Sequence, residues 1–154
     1  MTSPFWIGPV FAGRLGVMPR PRGHLWLDDE IEALRVAGVD VLASMLRDDE
    51  IAEFGLEAEG SECAARGIEF LRFPITDHSV PPLDDDTAAF VRELADRLQA
   101  GRSVVAHCFA GIGRSVLIAA SAMTLAGTPP EEIFAAISRA RGWVVPDTEE
   151  QRQW

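Results

Sequence analysis

Val104-Val105-Ala106-His107-Cys108-Phe109-Ala110-Gly111-Ile112-Gly113-Arg114-Ser115 is the stretch whose reading decides the fold. It opens as a short apolar run, which predicts a buried strand. Two glycines then interrupt the run, and an apolar helix follows from Val116 to Leu125. A strand, a glycine-bearing loop and a helix in succession build a nest of backbone N–H groups at a helix N-terminus, a geometry that binds anions. Cys108 opens the loop and Arg114 closes it, with five residues between them. The amide dipoles, the helix field and the guanidinium all favour the thiolate form of the cysteine. The planar fork of Arg114 can hold two oxygens of a tetrahedral oxyanion at once, which lysine cannot do. A thiolate beneath a bound phosphate is a nucleophile aimed at phosphorus.

The segments on either side extend the same alternation of strand and helix. Phe5 to Val10 and Leu15 to Met18 are short apolar pieces around Gly13, predicted as an edge hairpin. Pro19-Arg20-Pro21-Arg22-Gly23-His24 cannot continue a strand and reads as a loop with local positive charge. Two readings of Arg20, Arg22 and His24 stand side by side, a solvated turn and a second contact for an anionic substrate. Leu27, Ile31 and Leu34 fall at helical spacing and Gly38 ends that helix. Val39 to Leu46 is a predicted strand, Arg47 to Gly67 one or two short helices, and Ile68 to Phe73 another strand stopped by Pro74. Pro74 to Pro82 is a loop. Asp84, Asp85 and Asp86 cap a helix whose buried stripe is Phe90, Val91, Leu94 and Leu98. Thr128-Pro129-Pro130-Glu131 reads as a capping box before a helix ending at Gly142, and Thr148 to Gln151 as another before a last short helix. The alternation predicts an α/β domain over residues 1–154, with a central, mainly parallel sheet flanked by helices and the phosphate-binding loop between a strand and a helix.

Composition narrows the partners. The 154 residues suffice for one domain that buries about two-thirds of its unfolded surface. A net charge of −10 argues against nucleic acid or an anionic membrane as partner and makes the loop a local exception in an acidic chain. Two cysteines without metal-ligand spacing give neither a disulfide framework nor a zinc site. A catalytic thiol must stay reduced, so the cytoplasm is the expected compartment. Neither a signal peptide nor an apolar run of membrane-spanning length is evident. Oligomeric state is not legible.

With His107 before the cysteine, Gly111 and Gly113 inside the loop and Ser115 after the arginine, the stretch resembles the His-Cys-x5-Arg-Ser/Thr signature of the cysteine-based protein tyrosine phosphatases. The chain is most similar to their small, bacterial-type, dual-specificity-like members, since the large receptor-type catalytic domains are longer. The resemblance runs from Ile68 to Ser121. It implies that Phe109, Ala110, Gly111, Ile112 and Gly113 wrap the phosphate together with Arg114. It also implies a general acid on an upstream mobile loop, because an alkoxide or phenoxide leaves poorly without a proton. Asp77 is the residue so placed; its other reading is an Asx turn or a helix cap. Asp84 to Asp86 look like helix-start residues, and His78 like an exposed loop side chain or a substrate contact. His107 is expected to bond the backbone around Cys108 and hold the loop in shape. Ser115 is expected to donate to the thiolate, or simply to cap the helix. Gln151 matches a downstream glutamine that positions water in some relatives, against its reading as a capping-box residue with Thr148. Some relatives protect the nucleophile with a disulfide; nothing places Cys63 near Cys108, and it reads as inert.

The function so implied is phosphomonoester hydrolysis through a phosphocysteine, with no metal or other cofactor, acting on a phosphorylated protein or a small phosphomonoester. A phosphoinositide or inositol phosphate substrate is the alternative, although polyanion-specific relatives often carry extra lysines where this loop is apolar. An idle phosphate-binding module is a further alternative, one that usually lacks the nucleophile or the acid. The chain has no tyrosine, so any aromatic wall for phosphotyrosine must come from Phe or Trp.

Overall fold

The computed structural model describes residues 2–77, 79–82, 84–146 and 148–154. Five strands form one sheet in the order β1-β2-β5-β3-β4. They are β1 (Phe5–Val10), β2 (Gly13–Pro19), β3 (Val41–Ser44), β4 (Glu69–Arg72) and β5 (Ser103–Cys108). β1 pairs antiparallel with β2, and the other three pairings are parallel. The expected hairpin is therefore present, but of its two strands only β1 lies at an edge of the sheet: β2 is enclosed by β1 and β5.

β5 is the middle strand, which is why its sequence is a continuous apolar run. Val104, Ala106 and Cys108 join a core with α4 (Asp85–Gln99), α5 (Arg114–Leu125) and α6 (Pro130–Arg141). Val105 points into a second core with α1 (Leu27–Val36) and α3 (Glu59–Ala65), which also holds Met18, Leu42 and Cys63. Residues that alternate along β5 thus look out on opposite layers. Burying each of its valines is worth about 1.5–3 kcal/mol relative to exposure.

α1 buries Leu27, Ile31 and Leu34, as its spacing predicts, and also Glu30, whose carboxylate takes Arg22 Nε at 2.6 Å. The charged stretch after β3 forms two helices, α2 (Asp48–Phe54) and α3. Asp84 caps α4 by accepting from Thr87 N at 2.9 Å. The capping box expected at Thr128 does not form. Thr128 N instead donates to Met123 O at 3.0 Å and closes the end of α5, which leaves Pro129 at the N-cap of α6 without a side-chain bond. The second box does form: Thr148 and Gln151 bond each other reciprocally at the start of α7 (Glu149–Gln153).

All four parallel strands deliver their carboxyl ends to one edge of the sheet, where ligands of open α/β folds bind. That edge collects the loop after β2 from Arg20, the segment from Met45 to Arg47, the loop from Phe73 through Asp77, and the signature loop after Cys108. Met45 N bonds His107 O at 2.9 Å and Ile75 N bonds Met45 O at 3.1 Å, so the loops are laced to one another.

Candidate active site

Cys108 ends β5 and is 3% exposed. Its Sγ lies 3.2 Å from Ser115 Oγ at the start of α5, so the expected hydroxyl–sulfur contact is in place. Between them the chain must turn sharply against β2. Gly111 does this with φ of +72°, and a Cβ there would meet Met18 C at 2.5 Å and Pro19 N at 2.7 Å. Both the left-handed backbone and the close approach require glycine. Gly113 is the N-cap of α5 and supplies no side-chain bond to the first turn, so those N–H groups remain for a ligand.

Arg114 is closed to solvent. Nη1 donates to Glu50 Oε1 at 2.7 Å and to Ile75 O at 2.9 Å, and Nη2 donates to Glu50 Oε2 at 2.9 Å. Asp77 Oδ1 lies 3.2 Å from Nη2. Nε is buried with no hydrogen-bond partner among the described residues. Burial works against the guanidinium's charge, but the Glu50 hydrogen bond and the nearby charges of Cys108, Glu50 and Asp77 outweigh it and hold its pKa above the ordinary value. Glu50 shows the converse. Partial burial raises its pKa, yet the bonds from Arg114 and from the Arg47 backbone bring it below the usual carboxylate value.

Asp77, on the loop after β4, has a side chain nearly half exposed and stands over the guanidinium. His78 lies outside the described residues. Gln151 is fully buried, with Nε2 donating to Ser79 O at 2.9 Å and Oε1 accepting from Thr148 N, so it ties α7 to the Asp77 loop. His107 Nε2 lies 2.6 Å from Glu59 Oε2 instead of bonding the loop backbone, and its Nδ1 has no partner among the described residues.

The rim is aromatic and basic. Phe109 is 44% exposed, with its ring centroid 5.3 Å from that of Phe54. The Arg20 guanidinium lies 4.0 Å from the Phe54 ring and 5.7 Å from Phe109, and Arg20 N bonds Phe109 O at 3.2 Å. Of the basic loop, Arg20 therefore reaches the site while Arg22 turns away to Glu30. Ala110 O accepts from Arg141 Nη2 at 2.9 Å, and Ile112 packs on the main core. Glu50, Glu59 and Arg141 were not singled out by the sequence reading. An arginine buried beneath a phosphate site needs a carboxylate to hold it, a rule that calls for a partner without singling out Glu50. Among the described residues no cluster of His, Cys, Asp and Glu is arranged to hold a metal ion. None of their helices is long and apolar enough to cross a membrane.

The sequence model described as "Polymorphic toxin system, DSP-PTPase phosphatase" matches residues 16–128. No curated protein matches the chain. Among solved structures, kinase associated phosphatase (KAP), with its catalytic-site cysteine replaced by serine, is similar with a TM-score of 0.86 at 19% identity, over 99% of this chain and 90% of that one. Tk-PTP in its active form gives 0.75 at 26% identity, over 98% and 92%. PTPMT1 in complex with PI(5)P gives 0.70 at 20% identity, over 94% and 88%. KAP and PTPMT1, below 25% identity, speak to the fold alone.

Proposed function

Because this chain belongs to the polymorphic toxin system DSP-PTPase phosphatase family, we propose that it hydrolyses phosphomonoesters through a phosphocysteine on Cys108, without a metal, and that phosphotyrosine-bearing protein is its main substrate. The observation that carries this reading is the state of Arg114. A buried guanidinium is held from one side by Glu50, while its Nε donor lacks a partner among the described residues beside a cysteine at a helix N-terminus. Phosphate oxygens on Nε and Nη2 would satisfy that donor and take over the place of the Asp77 carboxylate on Nη2.

In the first step the Cys108 thiolate forms an S–P bond as the P–O bond to the leaving group breaks. Asp77 gives its proton to the departing oxygen. Loop amides and Arg114 stabilise the equatorial oxygens, which supplies the positive charge this chemistry needs. In the second step water loses a proton to Asp77 and attacks phosphorus. The S–P bond then breaks, inorganic phosphate leaves and the thiolate returns, hydrogen-bonded by Ser115. A reactive thiolate of this kind fits a reducing compartment such as the cytoplasm.

Phe109 and Phe54 offer an aromatic wall at the rim for a phosphoaryl group. Arg20 beside them favours one competing reading, a phosphoinositide or inositol phosphate whose second phosphate meets that cation. The deciding assay gives the purified protein a phosphotyrosyl peptide and a short-chain phosphoinositide in the presence of EDTA. The expected result is faster turnover of the peptide, insensitive to EDTA and abolished in Cys108→Ser, with binding of a phosphate mimic retained. Collapse of activity on chelation, or substantial hydrolysis by Cys108→Ser, overturns the mechanism. Preference for the lipid headgroup transfers the enzyme to the competing substrate class.

A further inference from the structure

We propose that Glu59 is a positioning residue for the nucleophile, acting through His107 from the opposite layer of the sheet. The role rests on Cys108 being the nucleophile. His107 and Cys108 are adjacent on β5, so their side chains leave opposite faces of the strand. Cys108 enters the site, while the His107 ring meets the first residue of α3, with Nε2 2.6 Å from Glu59 Oε2. The two side chains are 0% and 1% exposed.

Such a pair is costly to keep. Removing a carboxylate from water carries a penalty of several kcal/mol, and apolar residues of similar volume usually serve stability as well or better. Glu59 has one bonded oxygen, and Oε1 has no partner among the described residues. What the pair does supply is a fixed ring. With the Glu59 oxygen as acceptor the shared proton is carried by Nε2, and the contact sets the orientation and tautomer of the imidazole. The backbone at the same residue is already held: His107 is in register with Met18 on one side and Ser44 on the other, and its carbonyl accepts from Met45 N at 2.9 Å. Glu59 therefore completes the anchoring of the last residue before the loop. It also sets an ionisable carboxyl, through His107, beside the residue that carries the nucleophile.

Cys63 of α3 lies near Glu59, and on the other face of β5 Cys108 meets Ser115 and Arg114 of α5, with Glu50 and Asp77 held on that arginine. Cys63 is buried, and that burial, with the Glu59 charge added, pushes its thiol up to about 12. Alkylation near neutral pH therefore reads Cys108.

The experiment compares Glu59→Gln, which keeps an acceptor for Nε2–H, with Glu59→Ala, which removes it. Iodoacetamide labelling of Cys108 is followed against pH, and kcat and KM are measured on an aryl phosphate. In both folded variants the pH of half-maximal labelling is expected to move by about half a unit or more. The expected kcat falls about tenfold in Glu59→Ala and less in Glu59→Gln, with KM nearly unchanged. Folded variants with the wild-type labelling profile and kcat would overturn the proposal. So would failure of both variants to fold, which would assign the pair to structure. The labelling readout needs no turnover, so it stands apart from the hydrolysis by Cys108→Ser that would sink the underlying mechanism.

Discussion

Arg114 and Glu50, 64 positions apart, meet fork to fork: Nη1 to Oε1 at 2.7 Å and Nη2 to Oε2 at 2.9 Å. The carboxylate comes from α2, beyond the end of β3, and the guanidinium from the first turn of α5. Two segments that share no local sequence logic thus fix the orientation of one side chain. The fork turns the remaining edge of the guanidinium, with its Nε donor, away from Glu50.

Glu50→Ala is expected to leave a buried guanidinium supported, among the described residues, only by Asp77 and the Ile75 carbonyl. Breaking a buried pair from one side costs about 3–5 kcal/mol, which urea unfolding would show. The loss in kcat/KM should reach about 10²-fold, the scale of a misplaced binding group. Glu50→Asp should recover part of the rate. A folded Glu50→Ala enzyme with normal kcat/KM would limit Glu50 to stability.

Arg114→Lys keeps the charge and loses the planar fork. The expected cost is about two powers of ten or more in kcat, comparable to removing an oxyanion donor. Vanadate binding should weaken in parallel. A near-normal Lys variant would show that bidentate geometry is not needed.

Asp77→Asn is tested by choice of leaving group, because a general acid matters in proportion to the basicity of the oxygen it protonates. Phenyl phosphate should slow by about 10²-fold or more. A substrate with an electron-poor phenol should slow far less. Equal losses on both would assign Asp77 to loop structure and reopen the search at His78 and Asp84.

Glu69 gives a pH prediction away from the site. Its carboxylate takes Arg97 Nη2 at 2.8 Å and Arg102 Nη1 at 2.8 Å, joining β4 to α4 and to the entry of β5. The Arg97 hydrogen bonds, aided by Arg102 and opposed by partial burial, bring its pKa from 4.5 down to about 2. A folded pKa below the unfolded one stabilises above the unfolded value and loses that contribution as pH falls to the folded value. The stability deficit of Glu69→Gln should therefore be full at neutral pH, shrink below 4.5 and vanish near 2. A deficit independent of pH would mean that the side chain acts through packing alone.

Much of this was readable along the chain because the signals are local. The middle strand, the loop and α5 follow from one unbroken pattern, and α1 and α4 from their apolar spacing. The nucleophile, the arginine and Ser115 share one turn of backbone. What escaped were partners drawn from other elements. Glu50 and Glu59 sit in a charged, alanine-rich run that looks like a solvated helix pair, and only the parallel crossover brings them under β5. The box at Thr128 misled for a related reason. Its threonine finishes the preceding helix, a use of the backbone N–H that the Thr-x-x-Glu pattern does not encode.

The separation of the two thiols across the sheet has a chemical consequence. Cys108 belongs to one core and Cys63 to the other, with β5 and its neighbours between them. These are the only cysteines of the chain. A peroxide that converts the nucleophile to a sulfenic acid therefore finds no second thiol of the same chain in the layer where it forms. Recovery falls to a neighbouring backbone nitrogen or to a thiol arriving from solution, before a further oxygen makes the damage permanent. How long this molecule survives an oxidant is set by the reductant around it.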